Sequence, residues 1–411
     1  MKPRRFNMLA AVAVLGTAPP AFADVITDWN EKAIEFAVKR SMLPPPAERV
    51  MAMTQVAMFD AINSIERKYT PYLVQLPAEA ATSREAAAAA AAGTVLASIN
   101  PQAKDEMTAA LASYLAGIPD SPAKAAGIKL GEAVGAKVIE ARQNDGSAAP
   151  DSYRPRTTAG VYVPTAPTAT PQWASVKPFA LSSPSQFRPP APIALTSARW
   201  TMDYNEMKAV GALVSAKRTA KQTEDGRFWL ATDGRVYYPL VRQMADAKKL
   251  SLIDCARLYA LAAVARNDAL TAVFDAKYHY EFWRPVTAIR NGDIDGNDST
   301  ERDAAWQPLG PTPMHPEYPC AHCIVSASTA GVVMALFGSA DVPEFSITSP
   351  TAPGVTHRWT NVQAFVDEVS EARIWAGFHW RFSTEVGRDM GYRIGEYVAK
   401  NVMQPVAVAT R

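Results

Sequence analysis

The chain has 411 residues, of which 48% are hydrophobic and 20% are charged, a composition typical of a globular protein with a sizeable core. Its 42 basic and 40 acidic residues give a net charge of +2, which argues against a nucleic-acid-binding protein, where a clustered basic excess is expected. Three cysteines are too few to form a disulfide scaffold.

Residues 1–23 have the features of an export signal. Lys2, Arg4 and Arg5 form a charged start, MLAAVAVLG is an apolar run too short to span a bilayer, and AFA is typical of a cleavage site. We expect the mature chain to start at Asp24; an N-terminal membrane anchor is the alternative. No later stretch reaches the roughly 18 uninterrupted apolar residues of a spanning helix, which predicts a periplasmic or secreted protein without a transmembrane span.

Residues 24–144 show a helical pattern throughout. The stretch ERVMAMTQVAMFDAINSI has apolar residues near helical spacing, and residues 105–115 and 123–142 predict two further helices. Thr82 followed by Glu85 predicts a capping box at the start of EAAAAAAAGTVLASI. Because alanine favours helix and is small, this run should allow close helix packing in an N-terminal bundle.

Residues 145–195 are rich in Pro, Ser and Thr, which is typical of a flexible linker or of an ordered segment that wraps across a surface. Tyr, Val and Trp within the segment favour the ordered wrap. Helical pattern resumes at Thr196 and continues to residue 402, before a tail at 403–411. Ser251 and Asp254 mark the start of a long helix that is apolar on nearly all sides, so we expect it to be central.

The pattern after this central helix predicts a loop, a helix over residues 321–337 and two more helices within residues 361–400. No stretch shows convincing strand alternation. The sequence therefore predicts an all-α fold of helical bundles, with two four-helix-bundle-like halves at 24–144 and 196–402 joined by a Pro-rich ordered connection.

Lys277 and Arg284 are seven residues apart, and Pro285 follows them. Seven residues are two helical turns, which predicts that both side chains leave one face of the central helix. Two cations near the end of an apolar helix are costly unless they meet an anion, although both could also be surface charges.

Two further stretches in the C-terminal half carry candidate functional residues. In PEYPCAH, His322 comes just after a predicted helix start, where free backbone N–H groups favour an anion. In ARIWAGFH, Arg373 suits bidentate oxyanion binding, and a break at Gly377 would turn His379 inward. Each histidine could instead be structural. Together with Lys277, these residues predict a site for a tetrahedral oxyanion.

The stretches KYHYEFWRP, PEYPCAH and ARIWAGFH resemble the three signature blocks of the vanadium haloperoxidase and type 2 phosphatidic acid phosphatase superfamily. Those blocks read K-x6-R-P, P-S-G-H and S-R-x5-H-x3-D, and their order and internal spacings match. Similarity to the bacterial haloperoxidase-like branch extends over about residues 196–402 and to DVITDWN and PPPAERVMAMTQVAMFDAINSI near the N-terminus. The fold that this resemblance implies is all-α.

The resemblance implies a role for each matched residue. Lys277, Arg284 and Arg373 would bind the oxyanion oxygens, and His322 would be the acid–base residue. His379 would be the ligand of vanadium or, in the phosphatase branch, the nucleophile on phosphorus. A His at the place of His315 accompanies bromide rather than chloride oxidation in the family.

The sequence departs from the family pattern at positions that bear on this assignment. Cys320 and Ala321 replace the oxyanion-binding Ser and Gly, and a thiol is a poor donor, whereas Ala321 keeps its backbone N–H. Ser383 replaces the Asp that orients the nucleophilic histidine in the phosphatases. Ser383 cannot stabilise an imidazolium by charge, which weakens the phosphatase interpretation more than the peroxidase one.

Three functions remain open from the sequence. The first is a haloperoxidase with a vanadate cofactor, hydrogen peroxide and halide as its small-molecule substrates. The second is a periplasmic acid phosphatase, without vanadate, that acts on phosphomonoesters through a phosphohistidine. The third is an oxyanion-binding protein that has lost turnover because of the altered second block.

Cys320 and Cys323 have the C-x-x-C spacing at which cysteine pairs close a disulfide. An exported protein meets an oxidising compartment, so we predict that this pair is bridged and that Cys255 is not. The alternatives are two unbridged cysteines, or a zinc site with His315 and His322.

Overall fold

The computed structural model describes residues 25–164 and 166–406, so the predicted export signal and the end of the tail lie outside the described residues. Within these ranges the chain forms thirteen α-helices and one two-stranded antiparallel sheet, which confirms the all-α prediction. No helix in the described ranges combines the length and apolar character that crossing a membrane requires.

The helices and strands follow one another in this order: α1 Val25–Lys39, α2 Pro44–Glu66, α3 Arg84–Ile99, α4 Lys104–Ala116, α5 Pro122–Arg142, α6 Ala198–Val210, α7 Ala220–Phe228, α8 Tyr238–Ala247, α9 Leu252–Tyr280, α10 Pro285–Arg290, α11 Ala321–Phe337, β1 Asp341–Ser349, β2 Ala352–Asn361, α12 Val362–Trp375 and α13 Arg381–Asn401.

The alanine-rich helix α3 packs closely against α5, as its composition predicts. A Cβ atom at Gly131 would lie 2.2 Å from the Ala87 carbonyl oxygen, so only glycine allows this approach. The predicted cap at Thr82 is wrong by one residue. Ser83 is the N-cap, and its side chain accepts the Ala86 N–H at 3.1 Å, because the helix begins at Arg84.

Residues 145–164 and 166–195 form an ordered segment that contains no α-helix and packs against α9. The Asp268 carboxylate on α9 accepts three backbone N–H groups of this segment at 2.7–2.9 Å, from Phe179, Ala180 and Leu181. Trp173 and Val176 bury their side chains beside them. The ordered connection is therefore observed, since buried partners satisfy its backbone.

Helix α9 begins after the Ser251 cap, as predicted, and is buried almost without interruption to Lys277. It ends at Glu281, whose left-handed backbone (φ 50°) stops the helix. Arg284 therefore does not share a helix with Lys277, and that prediction is wrong. Pro285 imposes extended backbone on the residue before it, and Arg284 becomes the N-cap of α10.

The hairpin of β1 and β2 was not expected from the sequence. Phe345 pairs with Trp359 and Ile347 with His357 in the antiparallel register. These four side chains are buried while intervening residues such as Arg358 are exposed, which is the period-two pattern of a half-buried strand. The alternation along these strands is difficult to detect in the sequence because it is short and includes a histidine at a buried position.

Helices α11 and α13 are in close contact with each other. A Cβ atom at Gly391 would come 2.4 Å from the carbonyl oxygen of Ile324, so the two backbones can meet only because position 391 is glycine. This contact fixes the N-terminal end of α11 next to the segment that enters α13. His322, at the start of α11, and His379, in the segment before α13, thereby reach one region of the molecule.

Candidate active site

The ends of four helices meet around a cavity of about 1140 Å³. Lys277 lies in the last turn of α9, Arg284 caps α10, Arg373 lies in the last turn of α12, and Ala321 begins α11. The following predicted residues line the cavity: Arg284, His315, Ala321, His322, Arg373 and His379. Lys277 and Cys320 are fully buried and do not line it.

Three cations are buried together at this end of the cavity. Lys277, Arg284 and Arg373 are each at most 1% exposed. Burial lowers the pKa of Arg284 to about 10 and that of Arg373 to about 9, and it lowers the pKa of Lys277 well below its usual range. Mutual repulsion with Arg284 adds to the effect on Lys277. Such a cluster is costly unless an anion joins it.

Lys277 is engaged by the protein itself. Its Nζ donates to the carbonyl oxygens of Pro316 at 3.0 Å, Glu317 at 2.7 Å and Pro319 at 2.5 Å. These three bonds use all the donors of an ammonium group. Lys277 therefore supports the loop between α10 and α11 and adds positive charge from behind the cavity wall.

Arg284 connects the two histidine-bearing loops. Its Nε donates to the His315 carbonyl oxygen at 2.9 Å, and one terminal nitrogen donates to the Phe378 carbonyl oxygen at 3.1 Å. The same nitrogen lies 3.3 Å from His379 Nε2, and the other lies 2.9 Å from His315 Nδ1. The guanidinium thus holds both rings at the cavity.

Arg373 offers the donor capacity that an anion needs. One terminal nitrogen donates to the Trp229 carbonyl oxygen, and the guanidinium lies 4.8 Å from the centre of the Phe378 ring. Its buried Nε has no hydrogen-bond partner among the described residues. A buried donor without a partner costs free energy, and an oxyanion oxygen would remove that cost.

His379 follows the predicted break at Gly377, where the backbone is left-handed with φ 81°. Its Nδ1 lies 2.7 Å from Oε1 of Glu317, which also accepts the Trp380 N–H at 3.2 Å. We assign the proton to Nδ1, so that Nε2 carries the lone pair and presents it to the Arg284 guanidinium at 3.3 Å. Burial and the neighbouring cations lower the His379 pKa well below its usual value, which keeps the ring neutral.

Glu317 is the functional residue that the sequence reasoning missed. It is fully buried, and burial raises its pKa to about 7 although Lys277 and Arg284 oppose that shift. The Ser383 side chain lies near the same carboxyl group but places no charge beside His379. The signal was present in HPEYPC, because a carboxyl residue inside an otherwise apolar motif is rarely buried without a partner.

His322 occupies the second position of α11 and points into the cavity. Its Nε2 lies 3.2 Å from the Ala231 carbonyl oxygen, which indicates that Nε2 carries the proton. Burial and the charge of Arg373 lower its pKa well below the usual value. The first N–H groups of α11, at Ala321 and His322, have no acceptor within the helix, which suits a negatively charged ligand.

Cys320 and Cys323 form a disulfide in this structure, with their Cα atoms 5.4 Å apart. Cys320 is the N-cap of α11, and its sulfur accepts the Cys323 N–H at 3.2 Å. A bridged sulfur has no proton to donate, so the hydroxyl donor of the family serine has no replacement here. Cys255 lies buried elsewhere and takes no part in the bridge.

A vanadate or phosphate group fits the donors that face the cavity. Arg284 and Arg373 would bind its oxygens together with the first N–H groups of α11, Lys277 would contribute charge, and Nε2 of His379 would approach the central atom. The unpartnered Nε of Arg373 and the excess of buried positive charge are the observations that favour such an anion.

Within an all-α fold, the cations, helix N–H groups and two neutral histidines at one cavity form a site suited to an oxyanion. Residues 257–407 match the family model described as the VCPO second helical-bundle domain. The chain is 25% identical over 284 residues to vanadium chloroperoxidase of Curvularia inaequalis, covering 53% of this chain and 46% of that protein. It thus matches about half the length of this curated relative.

Solved structures show the same fold. The crystal structure of a protein described as the first bacterial vanadium-dependent iodoperoxidase superimposes with a TM-score of 0.80 at 21% identity. The match covers 93% of this chain and 97% of the iodoperoxidase chain. A holo-type bacterial vanadium-dependent chloroperoxidase has a TM-score of 0.68 at 18% identity and covers 94% of each chain. Residues 257–407 are thus similar to a vanadium haloperoxidase domain, and the solved vanadium-dependent peroxidases share the fold of the chain.

Proposed function

We propose that the protein is a vanadate-dependent haloperoxidase that oxidises halide with hydrogen peroxide. The observation that carries this proposal is the cluster of Lys277, Arg284 and Arg373, buried together beside His379, which lines the same cavity and has its Nε2 3.3 Å from Arg284. The family relationship supports vanadate as the anion that this cluster takes up.

Each residue at the cavity has a defined task in this function. Bound vanadate would supply the Lewis acidity that activates hydrogen peroxide. Arg284 and Arg373 neutralise the anion, and their burial keeps these contacts strong because water does not compete. Neutral His322 can accept a proton at Nδ1 from a bound acid, since its Nε2 proton is held by Ala231.

We further propose that bromide and iodide are oxidised in preference to chloride. His315 supports this choice, because the family resemblance pairs a histidine there with bromide enzymes. In the structure His315 lies on the cavity wall, 2.9 Å from Arg284 and with its ring centre 5.3 Å from that of Phe274. Efficient chloride turnover at neutral pH would contradict this part of the proposal.

A phosphatase with His379 as nucleophile is the second candidate, and one observation favours it. Ser383 suggested that no carboxyl group supports His379, but Glu317 provides one at 2.7 Å. A carboxylate at Nδ1 stabilises the imidazolium character that a phosphohistidine needs. The absence of the family Asp therefore does not weaken the phosphatase function as the sequence suggested.

One titration separates these functions. Vanadate is added to the metal-free protein while hydrolysis of an aryl phosphate and peroxide-dependent bromination of a dye are followed together. A haloperoxidase gains bromination as vanadate binds, because vanadate is its cofactor. A phosphatase loses hydrolysis, because vanadate mimics its transition state. Hydrolysis that falls without any bromination would overturn the proposed function, and silence in both assays would favour an oxyanion-binding protein.

We propose a periplasmic or secreted location for the protein. The export-like residues 1–23 support it, and so does the Cys320–Cys323 disulfide, since such bonds persist in oxidising compartments. Fractionation of expressing cells, with sequencing of the mature N-terminus, tests this location. An uncleaved chain in the cytoplasm would contradict it.

A further inference from the structure

We infer that Glu317 is the positioning residue for His379 and takes the place of the carboxyl group that the family carries four residues after this histidine. This inference rests on the proposed function to the extent that His379 contacts the bound oxyanion. It applies equally if the anion is vanadate or phosphate, because both require the Nε2 lone pair.

The geometry of the pair is that of a fixed hydrogen bond. Glu317 Oε1 lies 2.7 Å from His379 Nδ1, and neither side chain is more than 1% exposed. The same oxygen accepts the Trp380 N–H at 3.2 Å, so the carboxyl group binds both the ring and the backbone next to it. A hydrogen bond at Nδ1 decides which nitrogen carries the proton and where the ring points.

Glu317 itself is held in place on both sides of its backbone. Its N–H donates to the Phe282 carbonyl oxygen at 2.8 Å, and its carbonyl oxygen accepts Lys277 Nζ at 2.7 Å. The backbone that carries the carboxyl group therefore cannot move away without breaking contacts with Lys277 of α9 and with Phe282. A support that is fixed in this way can orient a ligand atom accurately.

Position 383 does not perform this task in the structure. The Ser383 side chain is fully buried, and its hydroxyl oxygen has no hydrogen-bond partner by distance and angle within the described ranges. The carboxyl group at His379 thus comes from the motif before α11 and not from the helix after the histidine. The two positions are close to each other, since the Ser383 side chain lies near the Glu317 carboxyl group.

The test removes the carboxyl group at position 317 and introduces one at position 383. Glu317→Ala is compared with the double variant Glu317→Ala/Ser383→Asp, and Glu317→Gln is the isosteric variant in case the alanine variant does not fold. Glu368→Ala is the matched control, because Glu368 holds a different histidine, His357, at 2.6 Å. Vanadate and inorganic phosphate dissociation constants are measured by calorimetry, and the His379 tautomer is read by ¹⁵N NMR of vanadate-free protein.

We expect Glu317→Ala to weaken vanadate binding about 10- to 100-fold, the usual loss for a residue that orients a metal ligand, and to abolish the fixed tautomer. The double variant should recover most of both, whereas Glu368→Ala should change neither. Glu317→Gln should keep the ring in place with a smaller loss of affinity.

An unchanged tautomer in folded Glu317→Ala protein would overturn the inference, as would wild-type anion affinity in Glu317→Gln protein or a double variant that recovers nothing. The tautomer is measured without any anion, so it can fail or hold independently of the haloperoxidase function. Wild-type protein that binds neither anion would contradict the proposed function while the NMR result still decides the role of Glu317.

Discussion

Among the described residues, two histidine–carboxylate pairs lie in different electrostatic surroundings. His379 lies 2.7 Å from Glu317, and its second nitrogen faces Arg284 at 3.3 Å. His357, on β2, lies 2.6 Å from Glu368, but its second nitrogen faces the carboxylates of Asp225 at 3.5 Å and Glu224 at 4.0 Å. The nitrogen that does not contact the carboxylate partner thus faces an arginine in the first pair and two carboxylates in the second.

The difference shows that a histidine–carboxylate pair is not a functional site by itself. The ligand atoms of Glu224, Asp225 and His357 lie within 4.8 Å of one another, close enough for a metal ion. The Lys221 ammonium already lies 3.6 Å from Glu224, 3.5 Å from His357 and in contact with Asp225. At His379 the surrounding cations instead require an anion, so the charge around the pair decides what it can bind.

The largest effect should come from removing an arginine from the cation-rich side. Arg373→Ala deletes a buried charge-assisted donor, and we expect a loss of at least about 2 kcal/mol of vanadate or phosphate affinity. Calorimetric titration measures this loss. Arg358→Ala is the control, because Arg358 is exposed and lies on the hairpin. Equal affinity in the Arg373→Ala and wild-type proteins would remove Arg373 from the site.

His357→Ala should lower the stability of the fold and leave anion binding unchanged. The substitution removes a hydrogen bond to Glu368 and a ring stacked 3.9 Å from Phe228, and it leaves the buried carboxylate of Asp225 with one fewer partner. We expect the free energy of unfolding to fall by about 1–3 kcal/mol while anion affinity is unchanged. Urea denaturation and calorimetry together check this expectation. A weaker anion site in this variant would erase the contrast between the two pairs.

A smaller effect concerns pH. The pKa of His322 in the folded protein is lowered by burial and Arg373, so protonation favours the unfolded chain. The stability that neutral His322 contributes is complete above about pH 6.5 and is lost as pH falls towards the lowered pKa. His322→Gln should remove up to about 1.4 kcal/mol per pH unit from this decline. If the free energy of unfolding of wild-type and His322→Gln protein changed equally with pH between about pH 5 and 7, the prediction would be wrong.

The disulfide should have the smallest effect on global stability, because it closes a short loop. Cys320→Ser/Cys323→Ala should lower the free energy of unfolding by no more than about 2 kcal/mol. Mapping of non-reduced peptides should find Cys320 and Cys323 joined and Cys255 outside the bridge. Recovery of Cys320 and Cys323 as separately alkylated residues, without prior reduction, would show that the bridge is absent.

The sequence predicted the helices most accurately where periodicity and caps agree. Residues 321–337 and the Ser251 start of α9 match the structure, because local signals at the helix start and apolar pattern act together there. The hairpin was missed because its strands alternate over few residues. Arg284 was placed on α9 because spacing alone cannot show that the chain stops being helical at Glu281.

The residues of the candidate site could be predicted from the sequence, but the contacts between them could not. Sequence blocks identified Arg373, His322 and His379, which the structure brings to one cavity. Sequence could not identify Glu317 as the partner of His379, since residues that are 62 positions apart meet only through tertiary packing. The blocks also predicted Lys277 as a direct oxyanion ligand, whereas its ammonium group is bound to three carbonyl oxygens in the structure.

Those three bonds set a rule for redesign of the protein towards other anions. Lys277 joins the C-terminal end of α9 to the loop that carries His315 and Glu317, so its removal would leave three buried carbonyl oxygens without a donor. Selectivity is therefore better altered at Ala321, which lines the cavity and has no side-chain hydrogen bond that supports its wall. In a library of variants, position 277 is best kept constant.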